Sequence, residues 1–135
     1  MNLEWAKKWM NSYNLNGLEQ LIQLYADDIK FEDVTFGDRA NGKDELKRAF
    51  TSYFAAPGAS ENVFTVSAYT GNFEAGAAEW TWDAKHKGEF MGVQAAGKET
   101  HVRGVSVLTF RNAKVSTQRD YWDSAAVLRQ LGALK

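Results

Sequence analysis

His101-Val102-Arg103-Gly104-Val105-Ser106-Val107-Leu108-Thr109-Phe110-Arg111, the turn Asn112-Ala113, and then Val115-Ser116-Thr117-Gln118-Arg119-Asp120-Tyr121-Trp122-Asp123 read as two long β-strands. So short a connection favours antiparallel pairing. In the first run apolar residues fall on both parities, which is the pattern of a strand covered on both faces. Helices supply one cover. A second copy of the chain is one reading of the other, and partly exposed valines at Val105 and Val107 are the plainer alternative.

Upstream, Val63–Thr70 and Ala75–Lys87 are two further strand-like runs, separated by Gly71-Asn72. The Gly-bearing stretch 88–98 is expected to form a wide hairpin loop over a pocket mouth. Further upstream the period changes. Ala6, Trp9, Met10 and Tyr13 share one face of a first helix, and Leu18, Leu21, Ile22 and Tyr25 repeat the spacing in a second, with Asn16 as its expected cap. Asp27 and Asp28 are expected to end that helix, because both compete for backbone hydrogen bonds. Ile29–Val34 then alternates as a short strand whose apolar parity, Ile29 and Phe31, also carries Asp33. Gly37–Gly42 reads as a turn. A third helix is expected with Asn41 as cap, Leu46, Ala49, Phe50, Tyr53 and Phe54 as its stripe, and Pro57-Gly58 as its stop. A short helix over Ala125–Leu131, capped by Asp123 or Ser124 and stopped at Gly132, closes the chain. Helices gathered on one face of a twisted antiparallel sheet make a single α+β domain over 1–135.

Composition removes several function classes. The chain has 135 residues, 44% hydrophobic and 24% charged, with a formal charge of −1. No basic excess attracts nucleic acid or anionic lipid. Cysteine is absent and there are two histidines, so neither a disulfide framework nor a thiolate- or histidine-rich metal site is expected. Neither His86 nor His101 has triad spacing. The chain has no Gly-x-Ser-x-Gly elbow, Gly-x-Gly-x-x-Gly turn or P-loop, so no nucleotide cofactor is expected. Met1–Lys8 has no basic segment followed by an apolar one, and no run approaches the roughly 20 apolar residues of a membrane span. A cytoplasmic location is the expectation. Aromatics reach 13%, the content of a chain able to wall an apolar pocket.

Asp33 is the first chemical candidate. A carboxylate on an apolar parity loses hydration, and its pKa rises toward the range of general acid–base work. A turn ligand at the strand end is the competing reading. Trp80 and Trp82 share a parity with Ala78 and Ala84, which points both indoles inward, either as plain core or as cavity wall. Gln118, Asp120 and Trp122 share one face of the last strand, and hydropathy alone leaves that face undecided.

Tyr25–Asp33, Gly42–Phe54, Glu79-Trp80-Thr81-Trp82, Arg103–Val107 and above all Arg119–Gly132 resemble the SnoaL-like polyketide cyclase family, of the nuclear transport factor 2-like superfamily. The resemblance implies a curved antiparallel sheet wrapped into a cone by three N-terminal helices, one deep apolar pocket, and dimers through the outer face of the sheet. It turns Gln118, Asp120 and Trp122 inward and matches Asp120 to the cyclases' acid–base carboxylate. Asp33 stands where the cyclases carry Asn, and Gly104 and Ser106 where they carry polar side chains. The related ketosteroid isomerases would match their general base to Asp33, but their oxyanion donors fall near Trp9 and Ser106. The related limonene epoxide hydrolases would match their water-activating carboxylate to Asp120, with Phe31 and Asp33 at the water-binding positions, but their remaining partners fall at Trp80 and Trp82.

The expectation is an acid–base enzyme needing no cofactor, acting on a small apolar, carbonyl-bearing or polycyclic molecule in a cyclisation or isomerisation. Asp120 would be the acid–base and Asp33 its partner. Ser106, Gln118 and the Trp9 indole would supply donors, and Tyr13, Tyr53, Trp80, Trp82 and Trp122 would shape the cavity. A non-catalytic binding domain and an epoxide hydrolase are the alternatives. The expected partners are a small apolar ligand and a second copy of the chain, not nucleic acid or membrane.

Overall fold

The computed structural model describes residues 1–14, 17–54 and 59–134. Helix α1 (Leu3–Asn14) buries Ala6, Trp9, Met10 and Tyr13, the stripe its spacing predicts. Helix α2 (Leu18–Ile22) is shorter than expected, and strand β1 (Tyr25–Asp33) starts four residues earlier. Five residues make a weak helix alone, and Tyr25 does better in the sheet. There it pairs with Val115 and its fully buried side chain reaches the core. Asp27 and Asp28 therefore do not end a helix. They are exposed on β1 where its register slips, next to Lys43 and Arg111 respectively. The expected Asn16 cap lies outside the described residues; Gly17 precedes α2 without a side-chain cap.

The stretch read as a turn contains a strand, β2 (Asp38–Asn41), paired antiparallel with β1 after a tight reversal at Gly37, whose φ is +81°. Helix α3 (Lys43–Phe54) buries Leu46 and Phe50. Asn41 does not cap it as expected. Instead the Glu45 carboxylate accepts from the Asn41 backbone N–H at 3.1 Å, and Gly42 makes the turn with φ +87°. The expected Pro57-Gly58 stop lies outside the described residues.

Strands β3 (Glu61–Gly71), β4 (Ala75–Lys85), β7 (Glu99–Arg111) and β8 (Lys114–Trp122) form the long antiparallel part of the sheet. The 88–98 connection holds a two-stranded ribbon, β5 (Glu89–Phe90) and β6 (Val93–Gln94), turning at Met91-Gly92. Helix α4 (Ser124–Gln130) is capped by Asp123, which accepts from Ala126 N–H at 3.0 Å.

The six-stranded order is β2-β1-β8-β7-β4-β3. The sheet is mixed and not wholly antiparallel, because β1 and β8 run parallel. Elements distant in sequence are free to align in the same direction; a hairpin is not. The pairing sets Asp33 beside Asp120 in register, and β7 sets Ser106 on the other side of Asp120. Even-numbered residues of β4 and β7 face the helices. Gly104 makes room there for the Trp80 ring, which lies across it: a Cβ would sit 2.3 Å from that ring. No helix among the described residues is long and apolar enough to cross a membrane.

Candidate functional site

Between the helices and the concave face of the sheet lies a cavity of about 410 Å³. All ten residues singled out from the sequence line it: Asp33, Asp120, Trp9, Tyr13, Tyr53, Trp80, Trp82, Ser106, Gln118 and Trp122. Trp5 does not; it stacks behind Trp9 at 5.6 Å. The walls are largely aromatic rings, in edge-to-face, tilted and stacked contacts. Trp82 meets Trp122 at 5.5 Å and Phe90 at 5.7 Å, and stacks on Phe64 at 6.1 Å. Phe90 comes from the β5–β6 ribbon, so the 88–98 connection does border the cavity.

Asp120 is half-buried, and its donors come from two sides. Ser106 Oγ donates to Oδ1 at 2.6 Å. Gln118 Nε2 donates to Oδ1 at 3.0 Å and Oδ2 at 3.2 Å. Behind each donor stands an indole, which donates only. Trp80 Nε1 donates to Ser106 Oγ at 3.0 Å, which leaves the Ser106 proton for Asp120. Trp9 Nε1 donates to the Tyr25 hydroxyl at 3.0 Å, and Tyr25 donates to Gln118 Oε1 at 2.6 Å. The Gln118 amide nitrogen is thereby turned toward Asp120. Since the one Tyr25 proton is engaged, Tyr13 must be the donor in the 3.0 Å Tyr13–Tyr25 contact. The phenols of Tyr13 and Tyr25 are both pushed up in pKa, chiefly by burial, and stay neutral.

Burial pushes the Asp120 pKa up to about 7, against the pull of the Ser106 and Gln118 bonds and with a further push from the Asp33 charge. Asp33 is also raised by burial, and is held back by bonds from the Phe36 N–H at 3.0 Å and from Trp122 Nε1 at 3.1 and 3.2 Å to its two oxygens. Asp33 thus closes the turn after β1, as its turn-ligand reading expects, and also lines the cavity. At the rim, Tyr53 donates to Asp38 at 2.6 Å and Phe36 stacks over Tyr53 at 6.3 Å. Trp82 Nε1 donates to Asn62 at 2.7 Å. His86, lowered in pKa by burial, meets Thr100 at 2.8 Å. His101 pairs with Asp83 at 2.7 Å, away from the cavity lining. No three His, Cys, Asp or Glu side chains come together as a metal-binding group among the described residues.

Tyr25, Phe36, Asp38, Asn62, His86 and Phe90 were not anticipated. Tyr25 was hidden by the assumed helix, and the register slip between Tyr25 and Lys30 breaks the parity that would have linked it to Ile29, Phe31 and Asp33. The others depend on pairings between distant segments and carry no local signal.

The sequence profile described as SnoaL-like polyketide cyclase matches residues 4–131. No curated protein sequence is significantly similar. Among solved structures, a SnoaL-like polyketide cyclase from Agrobacterium tumefaciens str. C58 is 20% identical, with 93% of each chain covered and a TM-score of 0.76. A hypothetical protein with a ketosteroid isomerase-like fold from Catenulispora acidiphila DSM 44928, in complex with trimethylamine, is 18% identical over 100% of this chain and 96% of that one, with a TM-score of 0.81. TsrD from Streptomyces laurentii is 17% identical over 99% of each chain, at 0.79. Identities this low establish a shared fold and nothing about chemistry.

Proposed function

The chain belongs to the SnoaL-like polyketide cyclase family, and from that premise we propose that it is a general acid–base enzyme, of cyclase or isomerase type, for a small and largely apolar molecule. One observation carries the reading: a carboxylate with a pKa of about 7 lines a ring-walled cavity. Near neutrality both its forms are populated, so it can take a proton from one atom of a substrate and return it to another. The bonds from Ser106 and Gln118 keep the ionised form accessible despite burial. The Asp33 charge opposes them and keeps the pKa from falling. The rings exclude water and hold an apolar skeleton against the carboxylate.

The test is turnover of candidate polycyclic and β-dicarbonyl compounds by the parent and by Asp120→Asn. An amide cannot relay the proton, so the variant should keep its fold and lose turnover. Retained turnover rejects the assignment.

We also propose a homodimer through the outer face of the sheet, where Val105, Val107 and Tyr121 lie. Tyr121 is 40% exposed, and Val105 and Tyr121 are register partners. Sedimentation equilibrium of the parent and of Val107→Glu decides it: a dimer that the charge dissociates supports the proposal, and a monomeric parent removes it.

A further inference from the structure

Among the described residues, the side-chain donors packed around the two aspartates are engaged by the protein itself. The indoles of Trp80, Trp122 and Trp82 donate to Ser106, Asp33 and Asn62. The hydroxyls of Ser106 and Tyr53 donate to Asp120 and Asp38, and Gln118 donates to Asp120. Trp9 and Tyr13 both donate to Tyr25. Ser52, Lys87 and His86 also line the cavity, but none of them is bonded to either aspartate among the described residues.

The acceptors are not exhausted. Asp120 Oδ1 takes two donors, Ser106 and Gln118, which fill its lone pairs. Oδ2 takes only the longer branch of the Gln118 bond, at 3.2 Å, and keeps acceptor capacity on a residue that borders the cavity. With Asp120 ionised, a ligand carbonyl beside it finds no free side-chain donor among the described residues. A ligand hydroxyl or ammonium finds a carboxylate oxygen.

We propose that the ligand's polar group is a hydrogen-bond donor, a phenolic or enolic hydroxyl or a protonated amine, received by Asp120 Oδ2, and not a carbonyl held by an oxyanion hole. The proposal rests on the reading of this cavity as the ligand site. It adds the polarity of the group that Asp120 meets. It also replaces the sequence-based expectation that Ser106, Gln118 and Trp9 donate to a substrate oxyanion, because all three already donate within the protein.

Four naphthalene probes test it by quenching of tryptophan fluorescence at about pH 8, where Asp120 is mostly ionised. They are 2-naphthol, its methyl ether, 2-acetonaphthone and 2-naphthylmethylammonium. One charge-assisted bond should make the naphthol or the ammonium bind at least about tenfold more tightly than the ether and the ketone. Whichever of the two binds better identifies the source of the donor. In Asp120→Asn the amide oxygen can keep the Ser106 and Gln118 bonds and turn its NH₂ toward the ligand, so the ketone should overtake the naphthol. Ether or ketone binding as tightly as the naphthol and ammonium in the parent overturns the proposal. So does an order that Asp120→Asn leaves unchanged, or a failure of all four probes to bind. Turnover is a separate readout. An inactive Asp120→Asn with an unchanged binding order removes this inference alone, and an active Asp120→Asn with a reversed order removes the acid–base role alone.

Discussion

Tyr25 donates its phenolic proton to Gln118 Oε1 at 2.6 Å, across the interior from strand β1 to strand β8. That bond decides which end of the Gln118 amide faces Asp120. Gln118 Oε1 can only accept, so Tyr25 is the donor, and Trp9 donates to the Tyr25 hydroxyl in turn. A residue that makes no hydrogen bond to Asp120 thus helps to set the acidity of Asp120.

Tyr25→Phe should accordingly raise the Asp120 pKa above about 7, because Gln118 is no longer held with its nitrogen toward the carboxylate. It should also cost about 1–3 kcal/mol of stability, by leaving Gln118 Oε1 and Trp9 Nε1 without their buried partner. Carboxyl ¹³C NMR titration reads the first effect and urea unfolding the second. Loss of stability with no movement of the titration would mean that Tyr25 only packs.

The Asp120 pKa makes a stability prediction with a definite sign. In the folded protein it lies near 7, against 3.8 for the free side chain. Between those values the folded state holds a proton that the unfolded chain has released. The contribution of Asp120 is therefore fully present below the lower value and lost as pH rises through the upper one. Asp120→Asn cannot ionise. It should be more stable than the parent at about pH 8, by at most roughly 4 kcal/mol, and the difference should close by about pH 4. Chemical denaturation at both pH values measures it; an equal difference at both contradicts the raised pKa.

Gly104→Ala should destabilise the fold by about 1–3 kcal/mol, the usual cost of forcing an added atom into a packed interior. The added Cβ would meet the Trp80 ring at 2.3 Å, so the indole has to move, and its bond to Ser106 moves with it. Thermal unfolding with tryptophan fluorescence follows both changes. A variant as stable as the parent would show that Trp80 has a second resting place.

Trp82→Ala should weaken binding of a naphthalene probe more than Trp5→Ala does. Trp82 borders the cavity and packs on Phe64, Phe90 and Trp122, while Trp5 stands outside the lining. Equal losses in the two titrations would place the ligand elsewhere.

Local periodicity made much of this architecture legible. The α1 and α3 stripes, the long strands and the inward parity of Asp33 are properties of residue spacing, and the structure keeps them. The second helix misled for the same reason: Leu18, Leu21, Ile22 and Tyr25 fit a helical spacing, and pairing with Val115 puts Tyr25 in the strand instead. Asp120 stood on a face that hydropathy left open. Family resemblance turned it inward, and its register with the buried Asp33 and Ser106 does the same.

Spacing along the chain thus determined the stripes of α1 and α3, the long strands, and the inward parity of Asp33, Trp80 and Trp82, because 3.6- and 2-residue periods are set by the backbone alone. Tertiary structure alone decided that β1 runs parallel to β8, that Asp33, Asp120 and Ser106 lie side by side, and that two indoles turn the donors toward Asp120. Those relations join residues as far apart as Tyr25 and Gln118. They exist only once the strands have paired, since hydrogen-bond direction depends on which partner is left to accept.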